Sequence, residues 1–322
     1  MSVVLDHSDR HQSLSIVSLI PSATEIVAAL GFSDWLTGRS HECDFPPSVR
    51  SLPVCTQPKF DPEGSSAETH DRVSQLLQSA LSVYRVEAET LQQVKPTHIL
   101  TQAQCEVCAV SLGEVEQAVA DWVQSPAPQV ISLQPNTLDD VWSDIYRVAE
   151  ALGINGDPLV AMLKHRVSDC MATVQQHIQQ QAIAPPTVAC IEWIEPLMAA
   201  GNWIPELVRM AGGTSCFGQV GQHSDWITWD DLRQANPDII VIMPCGYDLA
   251  KTRAELSPLT QHPDWRSLKA VQQRRVYITD GNQYFNRPGP RLVDSLEVLA
   301  ELFYPQHIDF GYEGSGWEQI IV

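Results

Sequence analysis

The chain has 322 residues, of which 44% are apolar and only 18% charged, a balance that suits one or two globular cores and excludes a disordered chain or a coiled coil. Its formal net charge is −19. Such a negative surface repels nucleic acid and anionic membranes, so a cationic patch on another protein suits it better as a partner.

The first residues bear on where the chain resides. Residues 1–12 lack the positive start and the unbroken apolar run of a secretory signal. No segment reaches the roughly 18 apolar residues of a membrane span. We therefore expect a cytoplasmic monomer, in which clustered cysteines favour metal or redox chemistry over disulfides.

The first part of the chain alternates between strand and helix patterns, which is typical of a parallel sheet. Ser22 and Glu25 have the spacing of a capping box at the start of the first helix. A loop rich in proline and polar residues is predicted over 39–62. Strands are predicted over 15–20, 98–101 and 129–133, and helices over 22–30, 66–81, 87–94 and 111–123. We interpret residues 13–135 as an N-terminal α/β lobe.

The middle of the chain, 136–184, is predicted to be helical, with helices over 137–152 and 157–181. The second helix would be about 35 Å long, which suits a stiff connector between two lobes. An ordinary peripheral helix is the alternative.

The last part repeats the strand and helix order of the first. Strands are predicted over 187–193, 238–243 and 275–279, and helices over 205–211, 229–234 and 290–303. We interpret 185–305 as a C-terminal α/β lobe and 306–322 as a tail. The predicted fold class is therefore α/β, with two Rossmann-like lobes joined by a single long α-helix.

A short internal sequence repeat supports two related lobes. Glu89 stands seven residues before Pro96, and Asp230 stands seven residues before Pro237. In both places a short helix ends at the proline and leads into a strand. Because this placement of proline is common, coincidence is the alternative.

Candidate ligand contacts lie where the predicted strands end, because ligands gather at the carboxyl ends of parallel strands. Aromatic and mostly uncharged loops of this kind suit a large, flat, partly apolar ligand held between two lobes. For any single aromatic residue, a place in the core is the alternative. The candidates are Ser22, His41, Gln102, Trp193, His223, Trp226, Tyr247, Tyr284 and Phe285.

A metal centre is a second interpretation of the same loops. His41, Cys43, Cys105 and Cys108 provide one imidazole and three thiolates, which are sufficient for tetrahedral zinc and also suit iron or an iron–sulfur cluster. A redox pair of Cys105 and Cys108 is one alternative. Residues that only contact a ligand or stabilise the fold are another.

No enzyme class is indicated. The sequence contains no nucleophile elbow, P-loop, dinucleotide fingerprint or zinc-protease helix. The acidic pairs Asp139–Asp140 and Asp230–Asp231 fall at helix starts, where carboxylates cap the backbone and suit the helix dipole. We therefore expect a binding protein that catalyses no reaction and requires no cofactor.

Four segments carry a resemblance to a known family. They are SLIPSATEIVAALG at 18–31, LQQVKPTHIL at 91–100, WDDLRQANPDIIV at 229–241 and RPGPRLVD at 287–294. In this order and spacing, the chain resembles the metal-chelate class of ABC-transporter solute-binding proteins, specifically the vitamin B12 (cobalamin)-binding branch. The resemblance covers residues 16–303.

The resemblance implies a class III periplasmic-binding-protein-like fold that holds its ligand between two lobes. It implies that Glu89 and Asp230 dock onto arginines of a membrane permease. It also places Trp193 and Tyr284 at aromatic positions that line the corrinoid site. Gln102 stands where well-known members carry a tryptophan.

Three functional hypotheses follow from these observations. The first is a solute-binding protein for cobalamin, a related corrinoid or another metal chelate, linked to ABC-type uptake or to intracellular handling. The second is an intracellular metalloprotein or redox enzyme that uses the His41, Cys43, Cys105 and Cys108 set. The third is a different chelate as ligand, such as haem or a siderophore.

Overall fold

A computed structural model describes residues 14–77, 83–102, 112–120 and 127–321. The chain forms two compact units. The N-terminal unit comprises the described parts of Met1–Pro62, Arg72–Gln134 and Asp144–Gly156. The C-terminal unit comprises the described parts of Glu63–Asp71, Pro135–Ser143 and Asp157–Val322.

The first stretch of chain alternates strands with helices, as its sequence pattern predicts. In chain order it contains β1 (Ile16–Ser18), α1 (Pro21–Ala29), β2 (Leu36–Arg39), β3 (Thr56–Pro58), α2 (Ser66–Leu77), β4 (Tyr84–Val86), α3 (Ala88–Val94), β5 (His98–Gln102), α4 (Leu112–Ala120), β6 (Gln129–Leu133) and α5 (Leu138–Ala151). Short 3-10 helices occupy Ser33–Trp35, before β2, and Pro47–Ser51, after it. The predicted loop over 39–62 therefore contains a helical turn and a strand.

A four-stranded parallel sheet with the order β2-β1-β5-β6 organises the N-terminal unit. Its central strand β1 is buried along its whole length, as expected for the middle of a sheet covered by helices. Val17, Leu19, Leu91, Ile99 and Val115 form its buried cluster. A separate hairpin pairs β3 with β4 in antiparallel orientation.

The remaining chain begins with α6 (Asp157–Gln181), the long helix that the sequence predicts. It packs along the last helix of the C-terminal unit, where Arg166 bonds to Asp294 and Glu297 over 2.6 Å each. The elements after α6 are β7 (Thr187–Trp193), β8 (Met198–Ala199), α7 (Ile204–Met210), β9 (Thr214–Ser215), β10 (Asp225–Trp226), α8 (Trp229–Ala235), β11 (Ile239–Ile242), α9 (Leu249–Ala254), α10 (Ser257–Thr260), α11 (Lys269–Gln272), β12 (Val276–Thr279), α12 (Leu292–Phe303) and β13 (Trp317–Gln319).

The C-terminal sheet has the order β10-β8-β7-β11-β12-β13, with β9 also paired to β7. Its centre, β7-β11-β12, is parallel and almost entirely buried. The core cluster of this sheet includes Ile191, Ile240, Ile242, Ile278 and Trp265. The α/β fold class is confirmed, with a parallel sheet at the centre of each unit.

The two copies of the internal sequence repeat also share a backbone conformation. Lys95 directly follows α3 and Asn236 directly follows α8, and both residues are left-handed, with φ of 51° and 40°. Each stands directly before a proline, which cannot continue the helix. The two short helices therefore end in the same way before β5 and β11.

Among the described residues, every helix is too short or too polar to cross a bilayer.

Candidate functional site

The N-terminal sheet has a topological switch point between β1 and β5. The connection after β1 leads to β2 on one side, whereas the connection after β5 leads to β6 on the other. Ligands of doubly wound folds bind at such points, outside the carboxyl ends of the strands. Ser22 lies four residues beyond β1, and Gln102 is the last residue of β5, so both predicted contacts lie at this edge.

Ser22 occupies the first turn of α1 and caps nothing. The helix begins at Pro21, its N-cap is Ile20, and no side chain caps it, so the predicted capping box is wrong. Proline at the first position explains this start, because it has no amide hydrogen to satisfy and its φ is already helical. Ser22 is 1% exposed, and its Oγ has no hydrogen-bond partner among the described residues.

His41 follows β2 and is held by one hydroxyl. Both its backbone amide and its Nδ1 bond to Thr56 Oγ1, over 3.1 and 2.8 Å. The ring of Tyr84 stands edge-on, with 4.8 Å between ring centres. Burial lowers the pKa of His41 to about 4, and the positive charge of Arg39 acts in the same direction. The imidazole is therefore neutral at ordinary pH.

The predicted metal set is only partly within the described residues. Cys43 is buried, and its sulfur accepts a hydrogen bond of 3.0 Å from the Thr24 hydroxyl. Cys105 and Cys108 lie outside the described residues. The part of the chain that the structure describes contains no group of three metal-ligating side chains. The four-residue site stays a prediction.

The C-terminal sheet has its own switch point between β7 and β11. Strands β8 and β9 lie on one side of β7, and β11 and β12 lie on the other. Trp193 is the last residue of β7, and Tyr247 lies in the loop after β11. Their rings meet edge-to-face, with centres 5.4 Å apart. The two predicted contacts are therefore brought together.

One buried donor at this edge has no partner among the described residues. The indole Nε1 of Trp193 is buried and makes no hydrogen bond to them, whereas the buried hydroxyls of Tyr247 and Thr69 interact with each other. Burial raises the pKa of Tyr247 to about 12, so its hydroxyl stays a neutral donor. Buried donors without partners cost free energy unless a ligand or water satisfies them.

The remaining residues of this edge differ in exposure. Trp226 is 56% exposed and meets the ring edge of His70 at 5.2 Å. His223 is also exposed. Tyr284 is half-buried, with the ring of Tyr312 at 5.9 Å between centres.

Phe285 does not belong with the other candidates. It is fully buried, its backbone amide bonds to Ser295, and its carbonyl accepts from the indole of Trp203 over 2.6 Å. Phe285 was predicted to contact the ligand, but it packs in the core instead. A side chain without exposed surface cannot touch a ligand. The backbone of Phe285 is left-handed, with φ of 67°.

A glycine fixes the loops at this edge. A Cβ on Gly281 would lie 2.2 Å from the carbonyl oxygen of Pro244, so the loop after β12 passes directly over the loop after β11. Only glycine permits this approach. The loops that carry Tyr247 and Tyr284 are thereby packed together.

The two predicted docking carboxylates lie on equivalent short helices. Glu89 is in the first turn of α3 and Asp230 in the first turn of α8, and both are exposed. Among the described residues, Asp230 forms an ion pair with Arg233 of its own helix, over 3.1 Å. Its neighbour Asp231 forms a capping box with Thr228, which confirms the capping interpretation for that carboxylate.

Sequence reasoning missed four residues. Thr56 and Tyr84, on β3 and β4, fix His41, yet the first fell in a presumed loop. Thr69 and His70 lie in Glu63–Asp71. This segment packs in the C-terminal unit, although the rest of that unit begins only at Pro135. No sequence pattern identifies such contacts, since they join distant segments.

Comparison with known proteins identifies the family. A profile described as periplasmic binding protein matches residues 16–283. The chain is 22% identical over 309 residues to the uncharacterized ABC transporter substrate-binding lipoprotein YvrC of Bacillus subtilis, covering 93% of this chain and 83% of that protein. It is 22% identical over 298 residues to the vitamin B12-binding protein of Photorhabdus laumondii, covering 92% and 90%.

Solved structures show the same fold. The apo form of the periplasmic heme-binding protein RhuT from Roseiflexus sp. RS-1 superposes with a TM-score of 0.66 at 23% identity, covering 91% of this chain and 98% of that one. The chain belongs to the periplasmic binding protein family. It is a solute-binding protein with a two-lobed α/β fold, and it is not an enzyme, which excludes the redox-enzyme hypothesis.

The predicted cytoplasmic location is wrong. The matching family is periplasmic, and its relatives include a lipoprotein and periplasmic proteins. A binding protein that serves uptake meets its solute on the outer side of the membrane that the solute must cross. The argument that a reducing compartment favours metal chemistry at clustered cysteines therefore loses its premise.

Proposed function

We propose that this member of the periplasmic binding protein family binds cobalamin or a closely related corrinoid and delivers it to an ABC-type importer. The observation that carries the proposal is the cluster of Trp193, Tyr247 and Thr69 at the switch point of the C-terminal sheet. It combines two aromatic faces with the buried indole Nε1 of Trp193, which has no hydrogen-bond partner among the described residues.

The chemistry of a corrinoid matches this cluster. A corrin ring is large and flat, and its rim carries amide side chains. Aromatic residues bury broad, flat surfaces at a small cost in side-chain entropy. The indole of Trp193 is a neutral donor for an amide carbonyl, and a ligand that accepts from it would remove the cost of burying it unpaired.

Most of the predicted contacts are themselves uncharged. Ser22, Gln102, Trp193, Tyr247 and Tyr284 carry no formal charge. Two cations lie beside them, because Lys251 is 4.2 Å from the centre of the Tyr247 ring and Arg291 is 5.6 Å from that of Tyr284. The vitamin B12-binding relative from Photorhabdus laumondii points to the same solute class.

Haem is the second candidate, and one observation favours it. His41 is neutral and held at the carboxyl edge of the N-terminal sheet, where an imidazole would suit an iron porphyrin. The haem-binding structure from Roseiflexus sp. RS-1 has the same fold. A siderophore has no comparable support from the described residues.

Docking to a permease is the second part of the proposal. Glu89 and Asp230 lie on short helices of matching form, and each is exposed. Their carboxylates suit arginines on a partner, in keeping with the net charge of −19.

What the protein carries when isolated tests the ligand. Absorbance and mass spectra of unstripped protein, followed by equilibrium dialysis of stripped protein against cyanocobalamin and hemin in parallel, distinguish the candidates. We expect corrinoid in the isolated protein or selective retention of cyanocobalamin in dialysis. Retention of hemin alone would contradict the corrinoid proposal and support the second candidate.

A further inference from the structure

The C-terminal unit contains a cavity at the end of its sheet that lies opposite the candidate contacts. The cavity has a volume of about 360 Å³, and Pro186 and Arg275 belong to its lining. Pro186 directly precedes β7 and Arg275 directly precedes β12, so the cavity lies at the amino edge of the parallel strands. Trp193 ends β7 about 20 Å away, at the usual rise of a strand. The cavity is therefore separate from the candidate solute site.

The charge of this cavity contrasts with that of the chain. The sequence has 39 acidic residues against 20 lysines and arginines. The cavity nevertheless has no described aspartate or glutamate in its lining, which includes four basic side chains, from Arg274, Arg275, His177 and His307. Two guanidinium groups disfavour a cation in this space and favour an oxyanion, for which arginine is the usual protein partner.

One buried nitrogen of the lining has no partner among the described residues. His177 lies on α6 and is 9% exposed, and its Nε2 is buried without a hydrogen bond to them. Its ring packs against those of Tyr304 and His307, with ring centres 5.0 and 4.5 Å apart. Burial lowers the pKa of His177, and His307 acts in the same direction, so the ring is neutral at neutral pH. A buried nitrogen of this kind costs free energy unless a ligand or water satisfies it.

The two arginines are positioned by their backbone and by neighbouring carbonyls. Arg274 is left-handed, with φ of 57°, and its carbonyl accepts a hydrogen bond of 2.5 Å from Gln319 Nε2. The guanidinium of Arg275 donates to the carbonyl of Phe303, at the end of α12, over 2.8 Å. Arg274 is the exposed member of the pair and forms no ion pair with a described residue. Its guanidinium is therefore available to a ligand.

We infer that this cavity is a second ligand site, which binds the oxyanion of a small molecule, either a carboxylate or a phosphate group. Arg274 supplies a charge-assisted hydrogen bond, and Nε2 of His177 supplies a neutral donor. The aromatic ring of Tyr304 lies in the same lining and suits an apolar body attached to the oxyanion. The volume is at the lower end of the range for small-molecule pockets, so the ligand is small.

The test titrates the full chain with sodium phosphate and, separately, with sodium benzoate, at constant ionic strength and neutral pH. Spectra of the imidazole nitrogens, recorded on protein that contains nitrogen-15 histidine, report the ring of His177 directly. We expect a saturable shift of its Nε2 signal with at least one of the two anions, and no shift with sodium chloride. The anion that saturates at the lower concentration distinguishes a phosphate site from a carboxylate site.

Variants then assign the charge. Arg274→Gln keeps the length of an exposed side chain and removes its charge, and it should weaken anion binding roughly tenfold. Arg266→Gln is the matched control, because Arg266 is an exposed arginine of the same unit outside the lining, and its binding should equal that of wild type. His177→Gln identifies the ring signal by its loss. Retention of cyanocobalamin should be the same in Arg274→Gln and in wild type.

Each outcome decides the inference. The absence of a saturable shift with both anions at millimolar concentration would overturn it. Equal weakening by Arg274→Gln and Arg266→Gln would show a general effect of surface charge and would also overturn it. Stoichiometric zinc that is lost in His177→Gln would assign the imidazoles to a cation and contradict an oxyanion site. None of these results bears on the proposed binding of a corrinoid, which is measured separately.

Discussion

The carboxyl edges of the two sheets both lie at a switch point, but their predicted contacts are of different types. Among the described residues, those of the N-terminal unit are hydroxyl, amide and imidazole groups, from Ser22, Gln102 and His41. Those of the C-terminal unit include the aromatic rings of Trp193, Tyr247 and Trp226.

This difference suggests a division of tasks. Aromatic rings supply buried area and therefore most of the affinity for a flat solute. Small polar groups and one oriented imidazole supply less area but more chemical discrimination. We expect changes on the aromatic edge to alter affinity broadly, and changes on the polar edge to alter which solute is preferred.

The largest expected effect concerns the scaffold of the aromatic edge. Gly281→Ala would place a Cβ 2.2 Å from a backbone carbonyl, which cannot move as a flexible side chain can. We expect a loss of about 3 kcal/mol in the free energy of unfolding, measured by urea denaturation. Gly113→Ala is the control, because nothing lies within 4 Å of its added Cβ and it sits in α4, where alanine is favoured. Equal losses in both variants would contradict the packing of these loops.

The next effect compares the two edges directly. Trp193→Ala should weaken corrinoid binding by about 2 kcal/mol, roughly thirtyfold, because it removes ring area and a donor at the switch point. Ser22→Ala should change affinity by no more than about 1 kcal/mol. Trp229→Ala is a control within the same unit, since that ring stacks on His262 at 3.7 Å rather than on Trp193 or Tyr247. A larger loss from Ser22→Ala than from Trp193→Ala would reverse the proposed division.

A smaller effect concerns acid stability of the polar edge. Burial lowers the pKa of His41 from 6.5 to about 4, so the unfolded chain binds its proton first as the pH falls. His41 should therefore destabilise the fold progressively between about pH 6.5 and pH 4. The difference in melting temperature between wild type and His41→Gln, followed across this range, measures the contribution. A difference that does not depend on pH would contradict the depressed pKa.

The smallest effect on the isolated protein is expected at the docking position. Asp230→Asn should leave stability and ligand affinity unchanged, because Asp230 is exposed and its ion pair with Arg233 lies at the surface. It should nevertheless reduce uptake in cells or binding to a permease. The adjacent carboxylate is the matched comparison: Asp231→Asn breaks the capping box with Thr228 and should lower the melting temperature without reducing docking. Normal uptake by Asp230→Asn would remove this residue from the docking proposal.

Much of the fold is predictable from sequence because the local signals agree with one another. Strands β6 and β7 have the predicted limits, and α6 begins and ends where the sequence indicates. The capping box at Ser22 failed because the proline before it is an equally good first helical residue. Two valid local rules competed there, and only the packed structure decides between them.

The candidate site was less predictable, for a different physical reason. Strand ends identify Trp193 and Tyr247, because their position follows from sheet topology. Phe285 was misassigned because exposure depends on the backbone turn at that residue, with φ of 67°, which the residue type does not reveal. Thr56 and Thr69 escaped notice because their roles depend on contacts between distant segments.

Calorimetric titration of the stripped wild-type protein with cyanocobalamin tests the central claim most directly. The account predicts saturable binding of one corrinoid per chain in the micromolar range or tighter, with the affinity reduced in Trp193→Ala. Absence of heat at high micromolar concentration, with the protein folded, would contradict it.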